Sequence, residues 1–144
     1  MRHEPARKVA RKRACAAWTC ACALLLIAAA APAQEVALSY TAEQAARGKA
    51  VYDQACVACH GPGLNDGALG APLKGPAFIR KYGGRTADHL YTVTSGTMPT
   101  GAPGSLAPDV YAALVAYMLQ ANDIVAGDAG LPPDPRRLAA VGVP

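Results

Sequence analysis

Five consecutive residues, Cys56-Val57-Ala58-Cys59-His60, carry the most specific chemistry in the chain. Two thiols three positions apart on one helical turn can each add to a vinyl group of a haem. The adjacent imidazole reaches the iron from the same side, so C-x-x-C-H reads as the attachment site of one covalent c-type haem. Other uses of C-x-x-C need different surroundings. A thioredoxin-like dithiol wants a βαβ setting, and nothing upstream alternates like a strand. A zinc site wants a second Cys/His pair at ligand spacing, whereas no cysteine follows Cys59 and the only later histidine is His89.

The motif needs elements that hold it. Thr41 with Gln44 three positions on is a capping-box pattern, and Ala42 to Ala55 is rich in helix formers, so a helix is expected to lead into the motif. Gly48 and Tyr52 share one face of it. A glycine inside a helix costs about 1 kcal/mol relative to alanine, which points to a second element approaching closely there. After His60 the chain turns Gly/Pro-rich through Pro76, a stretch that favours neither helix nor strand. Leu69, Leu73, Phe78 and Ile79 are its apolar residues, expected to plant on a haem face. A backbone carbonyl of this loop is expected to accept the Nδ1 proton of His60 and so orient the ring.

Thr86 opens a second helix, Ala87 to about Ser95, which Gly96 is expected to stop. Met98 follows, between that stop and Pro99, outside any helical core pattern. Its thioether is free to be pointed at iron, which makes His60 and Met98 the candidate metal ligands and Cys56, Cys59, His60 and Met98 the candidate haem-binding set. A six-coordinate His/Met iron has no open position and suits electron transfer. The last helix begins at Pro108, a favourable first-turn proline, and runs to about Ala121 with a broad apolar face that includes Met118 as a core residue. Asn122 ends it, and residues 123–144 read as an extended tail that either wraps the domain or moves freely. His89 fits an exposed helical position.

Charge and export belong together. Of the 14 Lys/Arg, six lie in the first thirteen residues. From Gln34 onward eight Lys/Arg stand against nine Asp/Glu, a net charge of −1. That removes the electrostatic support for nucleic-acid binding and leaves no clear direction of electrostatic steering toward a partner. The basic start, the Ala/Leu-rich run Ala14 to Ala30 and Ala31-Pro32-Ala33 form the three parts of a secretory signal. Cleavage after Ala33 is expected, leaving a single domain over 34–144 in the periplasm with no stable membrane span; an uncleaved N-terminal anchor is the alternative. Cys15, Cys20 and Cys22 leave with the signal, so the exported domain holds its core together by a covalent haem instead of disulfides.

The ordered set of Gly48 and Tyr52, Cys56-Val57-Ala58-Cys59-His60, Leu73-Lys74-Gly75-Pro76-Ala77-Phe78, Ser95-Gly96-Thr97-Met98-Pro99, and Tyr111 with Ala116-Tyr117-Met118-Leu119 resembles the class I mono-haem cytochromes c. In particular it is similar to the small cytochromes associated with quinoprotein alcohol dehydrogenases. The resemblance implies an all-α cytochrome c-type fold of helices and Gly/Pro-rich loops around one haem. It also implies first and last helices that cross at Gly48, Tyr52 and Tyr117, and a carbonyl from Ala71 or Pro72 on the proximal histidine. Tyr82 stands where relatives often carry tryptophan. The function it implies is a one-electron carrier, not itself an enzyme, between a dehydrogenase or quinol-oxidising donor and an oxidase-type acceptor. The alternatives are the cytochrome subunit of a multi-subunit dehydrogenase and a gas-binding or sensing haem protein.

Overall fold

The computed structural model describes residues 39–143; the expected signal, with Cys15, Cys20 and Cys22, lies outside the described residues. Six helices follow in order: α1 Ala42–Ala55, α2 Val57–His60, α3 Pro76–Tyr82, α4 Ala87–Thr97, α5 Pro108–Ala121 and α6 Pro135–Leu138. The fold is the all-α cytochrome c type. Among the described residues the only β-type pairing is an isolated antiparallel bridge between Thr86 and Gly142.

α1 and α5 have the extents their sequences imply, and their crossing organises the domain. Gly48 lies against the backbone of α5, where a Cβ at this position would stand 1.9 Å from the Ala113 carbonyl oxygen. One turn on, Tyr52 and Tyr117 meet edge to face with ring centroids 5.4 Å apart. α5 is buried at nine consecutive positions, Tyr111 to Leu119. A helix apolar on every side must be covered on every side: α1 and α4 pack on it, and the rest of its surface lines the cleft described below.

Three expectations change. The Gly/Pro-rich stretch stops at Gly75, and Pro76 starts the seven-residue α3 as its first-turn proline. Within that helix Phe78 is wholly buried in the core, while Ile79 and Leu69 are 40% and 82% exposed, so of the four apolar residues only Leu73 reaches the cleft. Gly96 does not stop α4, which runs on to Thr97. Thr94, Ser95 and Thr97 return their hydroxyls to the carbonyls four residues back, at 2.7–2.9 Å, and carry the last turn past the glycine. Third, the capping box is half made. Thr41 accepts from the Gln44 amide N–H at 3.1 Å, but the Gln44 side chain does not return to Thr41.

Gln44 instead fastens the C-terminal segment. Its buried amide donates to the Leu131 carbonyl at 2.8 Å and accepts from the Leu131 N–H at 2.7 Å, as a paired strand would. The Tyr40 hydroxyl bonds the Ile124 carbonyl, and the Gly127 N–H returns to the Tyr40 carbonyl. Farther on, Asp134 caps α6, Leu138 is fully buried, and Val141 and Val143 exchange backbone hydrogen bonds with Gly84, Arg85 and Ala87. The segment from 123 is therefore wrapped and partly helical, not simply extended. The sequence shows its glycines and prolines; the buried partners that order it are far away in the chain.

The crossing makes a definite demand on one atom. Gly48→Ala forces α1 away from the Ala113 carbonyl and is expected to cost about 1–3 kcal/mol or more, as overpacked core sites do. Denaturant unfolding of the haem-loaded protein measures it, and the exposed neighbour substitution Ala50→Gly, which costs only helix propensity of about 1 kcal/mol, is the comparison.

Candidate functional site

α1 ends at the motif. Its last turn delivers the Cys56 N–H to the Tyr52 carbonyl, and Val57 to His60 then form the single turn α2. His60 is 8% exposed, Cys56 is half-buried and Cys59 is exposed. Burial pushes the Cys56 thiol above its ordinary range, with neighbouring Cys59 adding to the effect.

The loop after α2 folds back onto it. The Gly67 N–H bonds the His60 carbonyl and the Gly70 N–H bonds the Cys59 carbonyl at 2.8 Å, satisfying acceptors that a helix end leaves open. Gly70 then passes flat against the imidazole: a Cβ there would lie 2.4 Å from His60 Nδ1. Immediately beyond it the Ala71 carbonyl stands 2.8 Å from Nδ1. Of the two carbonyls considered from the sequence, Ala71 makes the bond. A carbonyl only accepts, so Nδ1 carries the proton and Nε2 presents a lone pair.

A second loop carries Met98. It caps the end of α4 in extended conformation, its N–H on the Thr94 carbonyl. The Tyr111 hydroxyl donates to the Met98 carbonyl at 2.7 Å, and Thr100 Oγ1 lies 3.7 Å from the sulfur. Tyr111 belongs to the first turn of α5, so the rigid central helix holds the methionine loop by its backbone.

Cys56, Cys59, His60 and Met98 all line one cleft of about 350 Å³. Its walls are mostly apolar, with Leu73, Val93, Leu106, Leu114 and Met118 joined by the rings of Tyr52, Tyr82 and Tyr111. Among the described residues Lys81 is the only charged side chain lining it. That volume and lining belong to the range of cofactor clefts, roughly 300–1,000 Å³. Two thiols, an imidazole with a free ring nitrogen and a thioether facing an apolar cleft fit a covalently held haem. Among the described residues no group of three or more His, Cys, Asp or Glu side chains could hold a bare metal ion.

Residues 43–118, just over half of the chain, match the family model described as cytochrome c oxidase, cbb3-type, subunit III. The chain belongs to this family. The match begins in the first turn of α1 and ends inside α5, so it contains the crossing, the motif and the methionine loop, and stops short of the wrapped C-terminal segment. It makes the chain a c-type cytochrome domain with covalent haem c, an electron-transfer protein and not a catalyst. The association with quinoprotein alcohol dehydrogenases is not part of what the match shows. Neither the curated proteins nor the solved structures contain a match to this chain.

Two positions of this cytochrome domain were not singled out as site residues by the sequence reading. Asn122, expected only to end α5, also ties down the histidine loop. Its side-chain oxygen accepts from the Gly75 N–H at 2.9 Å, and its amide donates to the carbonyls of Leu73 and Met118 at 3.0 and 2.8 Å. Gly70 read as one more loop glycine, although the His60 ring leaves it no room for a side chain. His89, expected on an exposed face, is half-buried with its ring 6.0 Å from that of Tyr82. Met118 is a core residue as expected, at 3% exposure, yet it also lines the cleft.

Tyr52 closes the motif's underside, its hydroxyl donating to the Gly61 carbonyl. Burial pushes its phenol up to about 12, and the negative potential of Tyr117, Asp66 and Asp53 adds to this. A folded-state value above the unfolded one means that stability is fully present below pH 10 and drains as pH rises from about 10 to 12. Unfolding midpoints across that window are expected to fall, and Tyr52→Phe to flatten the part of the slope that Tyr52 supplies, which denaturant titration at pH 9, 10.5 and 12 measures.

Proposed function

We propose that this cytochrome is a periplasmic one-electron carrier in which Cys56 and Cys59 hold the haem and His60 and Met98 ligate its iron. The observation that carries the proposal is the convergence of these four side chains on one apolar cleft, from a motif and a loop about forty positions apart. Haem c, when bound, supplies a one-electron iron couple.

The chain's own residues divide the remaining work. The Ala71 carbonyl keeps Nδ1 protonated and so leaves Nε2 as the ligating nitrogen; a hydrogen-bonded ligand imidazole is also a better electron donor. Tyr111 restrains the Met98 backbone, which favours a permanent sixth ligand over an exchangeable one and argues against gas binding. Leucines, valine and tyrosine rings give the cleft an apolar wall, and the low dielectric they create would disfavour the more highly charged state of an iron held there.

Export through cleavage after Ala33 fits a haem that is attached outside the cytoplasm and a domain without disulfides among its described residues. Among those residues no helix is long and apolar enough to cross a membrane. The family description names an oxidase, which supports an oxidase-type acceptor; a dehydrogenase or quinol-oxidising protein is the proposed donor.

Visible and electron paramagnetic resonance spectra of the exported protein test the ligand set. A low-spin six-coordinate ferric species is expected, with a mass equal to residues 34–144 plus one haem. Met98→Ala is expected to produce high-spin ferric protein, to lower the reduction potential and to open the ferrous form to carbon monoxide, while Met118→Leu keeps the low-spin spectrum and the closed ferrous form. A Met98→Ala spectrum identical to that of the parent would remove Met98 from the iron.

A further inference from the structure

Residues 39–143 carry eight Lys/Arg and eight Asp/Glu, so the described domain has no formal net charge. The fold nevertheless separates the signs. No acidic residue occurs between Gly67 and Ala87, a stretch that contains α3 and the turn after it. Arg80 and Lys81 lie in the last turn of α3, and Arg85 folds back to donate its Nε–H to the Lys81 carbonyl. The C-terminal segment adds to this face. Val143 exchanges backbone hydrogen bonds with Gly84 and Arg85, α6 packs on α4, and α6 brings Arg136 and Arg137.

This corner thus holds five cationic side chains, all exposed. Its two carboxylates are engaged locally, Asp88 by the Thr86 hydroxyl and Asp134 by the Arg136 N–H that it caps. Among the described residues the one ion pair is Lys49–Asp53 on α1, so none of the five cations is neutralised by a carboxylate in contact. The remainder of the described domain carries three Lys/Arg against six Asp/Glu. The described residues thus have no formal net charge but a strong charge asymmetry. Its positive end touches the cleft, because Lys81 and Tyr82 both line it.

We infer that this face, built from the end of α3, Arg85 and α6, docks a redox partner through a carboxylate-rich surface. The inference rests on the carrier reading and names the partner's chemistry. Unpaired exposed cations at the rim of an electron-exchange site raise the encounter rate with anions and lose that effect as salt screens them, over a Debye length of about 10 Å at 0.1 M. A small charged interface also suits a partner that must leave after each transfer. Two of the five charges lie beyond residues 43–118, so the wrapped C-terminal segment contributes to partner choice as well as to stability.

The test uses the exported haem-loaded protein, reduced and mixed in stopped flow with hexacyanoferrate(III). Each encounter moves one electron from ferrous protein to the oxidant, leaving ferric protein and hexacyanoferrate(II). The rate is expected to fall roughly threefold or more between 10 and 200 mM ionic strength despite the absence of net positive charge. The cationic oxidant tris(phenanthroline)cobalt(III) is expected to show no such fall. Arg85→Gln/Arg136→Gln/Arg137→Gln should remove most of the salt dependence while spectrum and potential stay unchanged; Arg47→Gln/Lys49→Gln on α1 should keep it.

Equal salt dependence in the parent and the triple variant would overturn the assignment. So would co-sedimentation of the parent, but not the triple variant, with phosphatidylglycerol vesicles at low salt, which would make the face a membrane contact. Loss of the carrier reading shows separately, as a protein without a low-spin haem spectrum before any oxidant is added.

Discussion

The contact between Gly48 and the Ala113 carbonyl sets the distance between α1 and α5, and nearly everything else is referred to that distance. α1 ends in the attachment motif. α5 is the surface on which the ligand loops are hung. Were the two helices held apart by a side chain at position 48, the Tyr52–Tyr117 edge contact would open, and the motif turn would move relative to both loops. Close packing makes such a shift costly, because interiors have little free volume in which to absorb it.

α5 acts as a ruler for the site. Tyr111 near its start holds the carbonyl of Met98, and Asn122 at its end holds Leu73 and Gly75, close to the Ala71 carbonyl that orients His60. The eleven residue steps from one to the other span roughly 16 Å of rigid helix at 1.5 Å each. Two loops poor in regular structure are thereby placed relative to each other by one element that cannot bend easily. Local hydrogen bonds alone would leave each loop ordered but their separation free.

The same economy governs the core. α5 is buried over nine consecutive residues, and three of them, Tyr111, Leu114 and Met118, also form a wall of the cleft. In a domain of this size, without disulfides among its described residues, a covalently attached apolar cofactor would add to the apolar area that the chain buries by itself. The wrapped C-terminal segment completes the other side. Its anchor, the buried Gln44 amide on both backbone groups of Leu131, satisfies two polar groups that would otherwise be costly to bury.

What the residues determine alone is whatever depends on near neighbours. The motif, the extents of α1 and α5, the loop character around Met98 and the need for a close neighbour at Gly48 all rest on spacing, propensity or caps within a few positions. The all-α cytochrome fold follows from their order. Tertiary structure decides whatever depends on a distant partner: that Gln44 clamps Leu131 instead of closing its capping box, that Ala71 and not Pro72 faces His60, and that Asn122 serves the histidine loop. It also decides that Gly96 stays helical and that Phe78 is core while Leu69 is not. The charge asymmetry belongs to this second group, since a count over residues 39–143 sums to zero. Only the docking of α6 beside Arg85 turns the same charges into a positive face, because electrostatic potential depends on positions in space and not on order in the chain.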